Sequence, residues 1–151
     1  MMNVVTGGTL FQSVKYEFGT SEGHKKIVHK IRVLQDTMLA GIIGSGSHSV
    51  YCNHQQCTER IGTNIKVNAR STNGVVEAAN VTGKTFALSV QFHPESEATY
   101  ASLDTYKLFT RFINEGSKYM DRVGHPHTYM KDVVVPTEKE INEAEDESNP
   151  A

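Results

Sequence analysis

Residues 64–92 constrain the chain most, because they read as three strands joined by two tight turns. Asn64 to Ser71 alternates, with Ile65, Val67 and Ala69 on one side. Asn73-Gly74 follows, the strongest short hairpin signal in the sequence, and Val75 to Val81 returns. Thr82-Gly83-Lys84 makes a second turn into Thr85 to Phe92. The core of that third strand, Phe86-Ala87-Leu88-Ser89-Val90-Gln91-Phe92, is almost continuously apolar, as a buried strand should be.

The flanks carry weaker signals. Met1 to Thr6 is a short apolar run ended by Gly7-Gly8, and Thr9 to Gly23 reads as loop with a short turn of helix. His24 to Leu34, with Ile27, Ile31 and Val33, reads as a half-exposed strand. Asp36 stands where a helix N-cap belongs, with Met38, Leu39, Ile42 and Ile43 at helical spacing behind it and Gly44 and Gly46 ending the helix. Ser47 to Asn53 predicts a short strand running into the polar loop His54-Gln55-Gln56. Ser102 to Glu115 is the best helix, with Leu103, Tyr106, Phe109, Phe112 and Ile113 in one stripe and Gly116 at its end. Domain 1–118 is followed by a tail, 119–151, expected to be disordered from 137.

Charge excludes more than it assigns. The 151 residues sum to −2. Residues 137–151 hold six acids and one lysine, a net of −5, which leaves +3 for the rest. Neither balance demands nucleic acid or a membrane surface as partner, and no window approaches the length of a membrane-spanning helix. Cys52 and Cys57 make no disulfide framework, and no CxxC metal arrangement is present. A reducing, cytoplasmic setting is expected.

The segment most open to chemistry is Val90-Gln91-Phe92-His93-Pro94-Glu95, at the end of the apolar strand, where α/β proteins gather catalytic groups. His93 suits a general base, since imidazole titrates near neutral pH. In extended chain Glu95 points the same way, so its carboxylate can hold the ring and stabilise its cation. Pro94 stiffens the link between them. By itself such a triplet is more often a surface histidine at a strand end. His54 and Gln56 could bind a carboxylate or amide, or simply close a hydrogen-bonded turn. Cys52 reads as a small apolar strand residue rather than a nucleophile, because nothing around it would lower its pKa.

Four segments together resemble one family. Asn3-Val4-Val5-Thr6-Gly7-Gly8-Thr9-Leu10-Phe11-Gln12 looks like the stretch after the nucleophile elbow of gamma-glutamyl-gamma-aminobutyrate hydrolases. His54 with Gln56 matches that family's His-x-Gln loop. Ala69-Arg70-Ser71-Thr72-Asn73-Gly74-Val75-Val76-Glu77-Ala78 is similar to its hairpin, and Phe86 to Glu95 to its catalytic strand end. The segments come in the family's order over roughly residues 2–115.

These enzymes, of the peptidase C26 type, belong with the class I glutamine amidotransferases. The resemblance implies a flavodoxin-like three-layer α/β fold and a Cys-His-Glu triad, with His93 as base, Glu95 as orienting acid, and His54 and Gln56 on the substrate side. It implies a small gamma-glutamyl substrate, a glutamyl-thioester mechanism and no metal or organic cofactor.

There are departures. Tyr51-Cys52-Asn53 replaces the usual Val-Asn-Ser, and Phe92 stands where Trp is often found. The family's Gly-x-Cys-x-Gly elbow lies a few residues before Asn3, where this sequence opens. The thiol and roughly the first half of the domain are therefore expected to be absent, and this chain alone to be inactive. Its parallel strands are expected to expose an unpaired edge, so that a chain supplying the missing half, or a homo-oligomer, would complete it. Two other readings stay open: a non-catalytic remnant or interaction subunit, and a glutamine amidotransferase subunit delivering ammonia to a synthase.

Overall fold

The structure, a computed structural model, describes residues 1–19, 24–96 and 102–124. The chain divides into two compact units, Met1–Thr99 and Tyr100–Ala151. The first runs α1 (Met2–Val5), β1 (Leu10–Phe11), α2 (Val14–Phe18), β2 (His24–Val33), α3 (Ala40–Ile43), β3 (Gly46–His54), β4 (Cys57–Thr58), β5 (Ile65–Ser71), β6 (Val76–Val81) and β7 (Leu88–Val90). The second holds α4 (Leu103–Val123).

Strands β3-β2-β5-β6-β7 form one sheet, and every pairing in it is antiparallel. This corrects the expectation of parallel strands for the described residues. The turn at Asn73-Gly74, with Gly74 at φ 93°, folds β6 back onto β5. The sheet also curls. At the end of β7 the His93 N–H donates to the Tyr51 carbonyl of β3 at 2.8 Å, so chain from the two outer strands meets. Part of the edge expected to lie open is thereby paired.

Two bulges shape the interior. In β2 the register slips between His24 and Ile27, where Lys26 takes φ 51°. Period two would put His24 and His29 on opposite faces, and the extra residue turns both inward. In β5 the ladder slips around Ala69, and the adjacent Asn68 and Ala69 are both fully buried. The Asn68 side chain then ties the loop before α3 to the sheet. Its Oδ1 accepts from the Leu39 N–H at 2.9 Å, and its Nδ2 donates to Lys66 O and to Asn80 Oδ1. A separate apolar cluster joins Val14, Cys57 and Val75 to Phe11 and Phe18, whose rings meet edge to face at 5.9 Å.

Local signals went astray in three places. Asp36 is no N-cap; it sits at φ 55°, and the Thr37 hydroxyl accepts from the Ala40 N–H instead. The third strand keeps ladder pairing only over Leu88–Val90 and is half-buried, since it has one ladder neighbour, β6. Gly116 lies inside α4. A glycine costs an exposed helix only about 1 kcal/mol, and the left-handed stop comes at Gly124, φ 71°. Ser102 caps the other end by accepting from the Thr105 N–H. Residues 125–151, including the acidic stretch from 137, lie outside the described residues.

Replacing Asn68 by Ala strands a buried N–H at Leu39 and leaves Asn80 short of a partner. The expected loss is about 2–3 kcal/mol, read as a lower urea midpoint at unchanged slope. An unchanged midpoint would remove Asn68 from this role.

Candidate active site

His93 and Glu95 meet. Once β7 has ended, the His93 backbone is held by Tyr51 O, and the Ser96 N–H donates back to His93 O at 3.1 Å. That turn, stiffened by Pro94, brings His93 Nδ1 to 2.6 Å from Glu95 Oε1. Both side chains reach solvent, at 37% and 65% exposure, so the pair stands at the surface. The hydrogen bond from His93 holds the Glu95 carboxyl below the ordinary carboxylate range. With Nδ1 bound to the carboxylate, Nε2 is the nitrogen for proton exchange with a reacting group.

The other two sequence-predicted residues go different ways. Gln56 is exposed, and its Nε2 donates to Gln12 Oε1 at 2.6 Å. His54 turns inward. Its Nδ1 lies 3.0 Å from the Gln56 carbonyl, and its Nε2 lies 3.2 Å from His24 Nδ1 and 3.5 Å from Glu77 Oε1.

His54 therefore belongs to an interior cluster that sequence reasoning missed. Glu77, on β6, is fully buried. His24 Nδ1 is 2.9 Å from Glu77 Oε1, His29 Nε2 is 2.8 Å from Cys52 Sγ, and the Cys52 thiol is 3.6 Å from Glu77 Oε2. Burial works to raise the Glu77 carboxyl, but hydrogen bonds from His24 and His54 outweigh it, so Glu77 sits below its ordinary range. Burial lowers His29, against the pull of Glu77. The donor atoms of His24, His29, Cys52 and Glu77 all lie within 4.8 Å of one another. A signal existed: His29 falls in the inward series 27-29-31-33 of β2, and Cys52 and His54 share the face of Val50 on β3.

Neither thiol is placed to attack a substrate. Cys52 is buried, and burial together with Glu77 raises its pKa strongly. Cys57 is buried beside Val14 and Val75 and is pushed up to about 11 by burial, then by Glu77 and Glu17. Both thiols are expected to resist a chromogenic disulfide reagent in the native chain and to react on denaturation. Fast native labelling of either would refute their inert placement.

The Glu95 shift fixes a second expectation. Its folded pKa is depressed, so the His93–Glu95 bond is fully present above the ordinary carboxylate pKa and is lost as pH falls through the lower folded value. A carbon-detected NMR titration of Glu95 should show a midpoint below the ordinary range, restored to it by His93→Ala. Identical midpoints in both chains would contradict the pairing.

The sequence matches the Peptidase C26 family model over residues 1–95. It is 36% identical over 127 residues to a Mycobacterium tuberculosis protein assigned as a glutamine amidotransferase, covering 81% of this chain and 39% of that protein. It is 34% identical over 86 residues to the gamma-glutamyl-gamma-aminobutyrate hydrolase of Escherichia coli K12, covering 56% of this chain and 34% of that one. The chain thus spans only a third to two fifths of the length of these relatives. In fold it is similar to a Thermoplasma acidophilum protein assigned as a GMP synthase subunit, at TM-score 0.63 and 17% identity, over 82% of this chain and 56% of that one. It is also similar to a Thermotoga maritima glutamine amidotransferase, at TM-score 0.51 and 15% identity, over 97% and 51%. The architecture is part of the α/β fold of class I glutamine amidotransferases. No helix among the described residues is long and apolar enough to cross a membrane. The chain belongs to the Peptidase C26 family.

Proposed function

We propose that this chain carries the base and the orienting acid of a Cys-His-Glu triad that hydrolyses gamma-glutamyl amides. The observation that carries the reading is the 2.6 Å bond between His93 Nδ1 and Glu95 Oε1 at a surface-exposed strand end. The gamma-glutamyl-gamma-aminobutyrate hydrolase among the relatives supports the substrate class.

In this reading His93 takes the proton of a thiol, and the thiolate attacks the gamma-carbonyl carbon. The tetrahedral intermediate collapses as His93 returns the proton to the leaving amine, which leaves a glutamyl-thioester. Water, deprotonated by His93, attacks the thioester; glutamate departs and the thiol is regenerated. Glu95 keeps the ring oriented and stabilises its cation without itself becoming protonated. Cys52 and Cys57 are both buried, so the reading requires a thiol from outside this sequence. Gln56 is assigned to the substrate side. His54, whose Nδ1 holds the Gln56 carbonyl, positions that loop rather than touching substrate.

The test is glutamate release from gamma-glutamyl-gamma-aminobutyrate and from glutamine. The full chain is assayed alone and mixed with a polypeptide carrying the Gly-x-Cys-x-Gly elbow segment. The chain alone should be inactive and the mixture active. His93→Ala should then cost on the order of a million-fold, and Glu95→Gln on the order of ten-thousand-fold, as in triads that act as a unit. Turnover by the chain alone that survives His93→Ala would end the proposal. Preference for glutamine would keep the triad and move the substrate to glutamine itself.

A further inference from the structure

The interior cluster takes no step in that reaction, yet its donor set is unusual for a buried core. Two imidazoles, a thiol and a carboxylate converge from three strands: His24 and His29 from β2, Cys52 from β3 and Glu77 from β6. We propose that these four residues form a structural site for a divalent transition metal, of which zinc fits best.

Geometry supports it first. A tetrahedral zinc with bonds of about 2.0–2.3 Å sets its donor atoms roughly 3.2–3.8 Å apart. Four of the six pairs are separated by 2.8 Å (His29–Cys52), 2.9 Å (His24–Glu77 Oε1), 3.6 Å (Cys52–Glu77 Oε2) and 3.7 Å (His29–Glu77 Oε1), and all six lie within 4.8 Å.

The supporting contacts come second. Ligating histidines characteristically have their far side held by a backbone carbonyl or an amide. The Asn73 side-chain amide sits 3.3 Å from His24 Nε2 and can serve either tautomer by rotating. His54, anchored at Nδ1 by the Gln56 carbonyl, presses its Nε2 toward Glu77 Oε1 from a further side.

Charge is the third support. A Glu77 carboxylate and a Cys52 thiolate balance a dication, while the two rings bind neutral. Binding is balanced as one proton lost: the Cys52 thiol proton leaves to solvent, and any proton on His24 Nδ1 moves to Nε2. Thiolate and imidazole donors favour zinc over magnesium or calcium, which want oxygen shells. Four protein ligands in a closed interior describe a structural rather than a catalytic ion. It would clip β6 to β2 and β3 across the curl, with β5 lying between β6 and β2. The spacing rules that found no metal motif fail here because no two ligands from different strands are near in sequence.

The experiment uses the untagged full chain, stripped with a chelator and reloaded. One zinc per chain should bind in competition with a chromogenic chelator and raise the thermal midpoint, while magnesium does neither. Cobalt substitution should give a thiolate-to-cobalt charge-transfer band and the strong visible bands of a tetrahedral site. Cys52→Ser should abolish the charge-transfer band, and His29→Asn should weaken zinc at least about ten-fold. Cys57→Ser, whose thiol lies among Val14 and Val75, should leave the spectrum unchanged. X-ray absorption on the wild-type zinc form needs no variant and should count one sulfur and three nitrogen or oxygen donors. A shell without sulfur, a charge-transfer band that persists in Cys52→Ser, or no stoichiometric zinc would overturn the site. None of these outcomes depends on the His93–Glu95 reading.

Discussion

Glu77 is the constraint around which the first unit is arranged. A carboxylate with no access to water costs several kcal/mol unless its oxygens are met from within. Here they are met by His24, His54, His29 and Cys52, drawn from strands that are not all neighbours. β6 reaches β3 only because the sheet curls, and His24 and His29 face the same way only because β2 is bulged. The curl, the bulge and the histidines are therefore one solution to one problem. A flat sheet with a regular β2 would leave the acid half-paired, and a half-satisfied buried network is worse than an apolar core.

Much of the fold was legible because period-two patterns and turn chemistry are local. Asn73-Gly74 gave the β5–β6 hairpin, and the alternation around Ile65, Val67 and Ala69 gave β5. What failed depended on distance. Asp36 has the side chain of an N-cap, but the chain there turns through a left-handed residue and the N-cap position falls at Leu39, without a side-chain cap. The apolar run Phe86 to Phe92 looked buried on both faces, yet it pairs only with β6, and the ladder ends at Val90. Parallel pairing was inferred from the family's whole domain, whereas the pairings here are those of hairpins and returns.

The candidate sites were legible to unequal degrees for the same reason. His93 and Glu95 are two residues apart around a proline, so their contact is nearly intrasegmental and sequence could foresee it. The interior cluster joins residues 24, 29, 52, 54 and 77, and three of them, His24, His29 and Glu77, read in sequence as ordinary strand positions. Cys52 reads as a small apolar strand residue and does lie buried in β3, but burial in apolar company and burial against Glu77 look alike in one dimension. The family's His-x-Gln loop pointed to His54 without saying which way the ring would turn.

The two groups of residues meet at β3. Tyr51 and Cys52 are adjacent, so their side chains point to opposite faces. The Cys52 side chain enters the cluster, while the carbonyl of Tyr51 takes the backbone N–H of His93. A slip of β3 by one residue against β2 would send Cys52 and His54 outward and withdraw the acceptor that fixes His93. The register Ile27↔Cys52 and Val28↔Tyr51 thus serves both places at once. That register brings Cys52 to His29 and His54 to His24 and Glu77, contacts that a one-residue slip would break. The position of the surface imidazole is in this sense set from inside, through the backbone of a strand whose Tyr51 ring also stands edge-on to it, with centroids 6.4 Å apart.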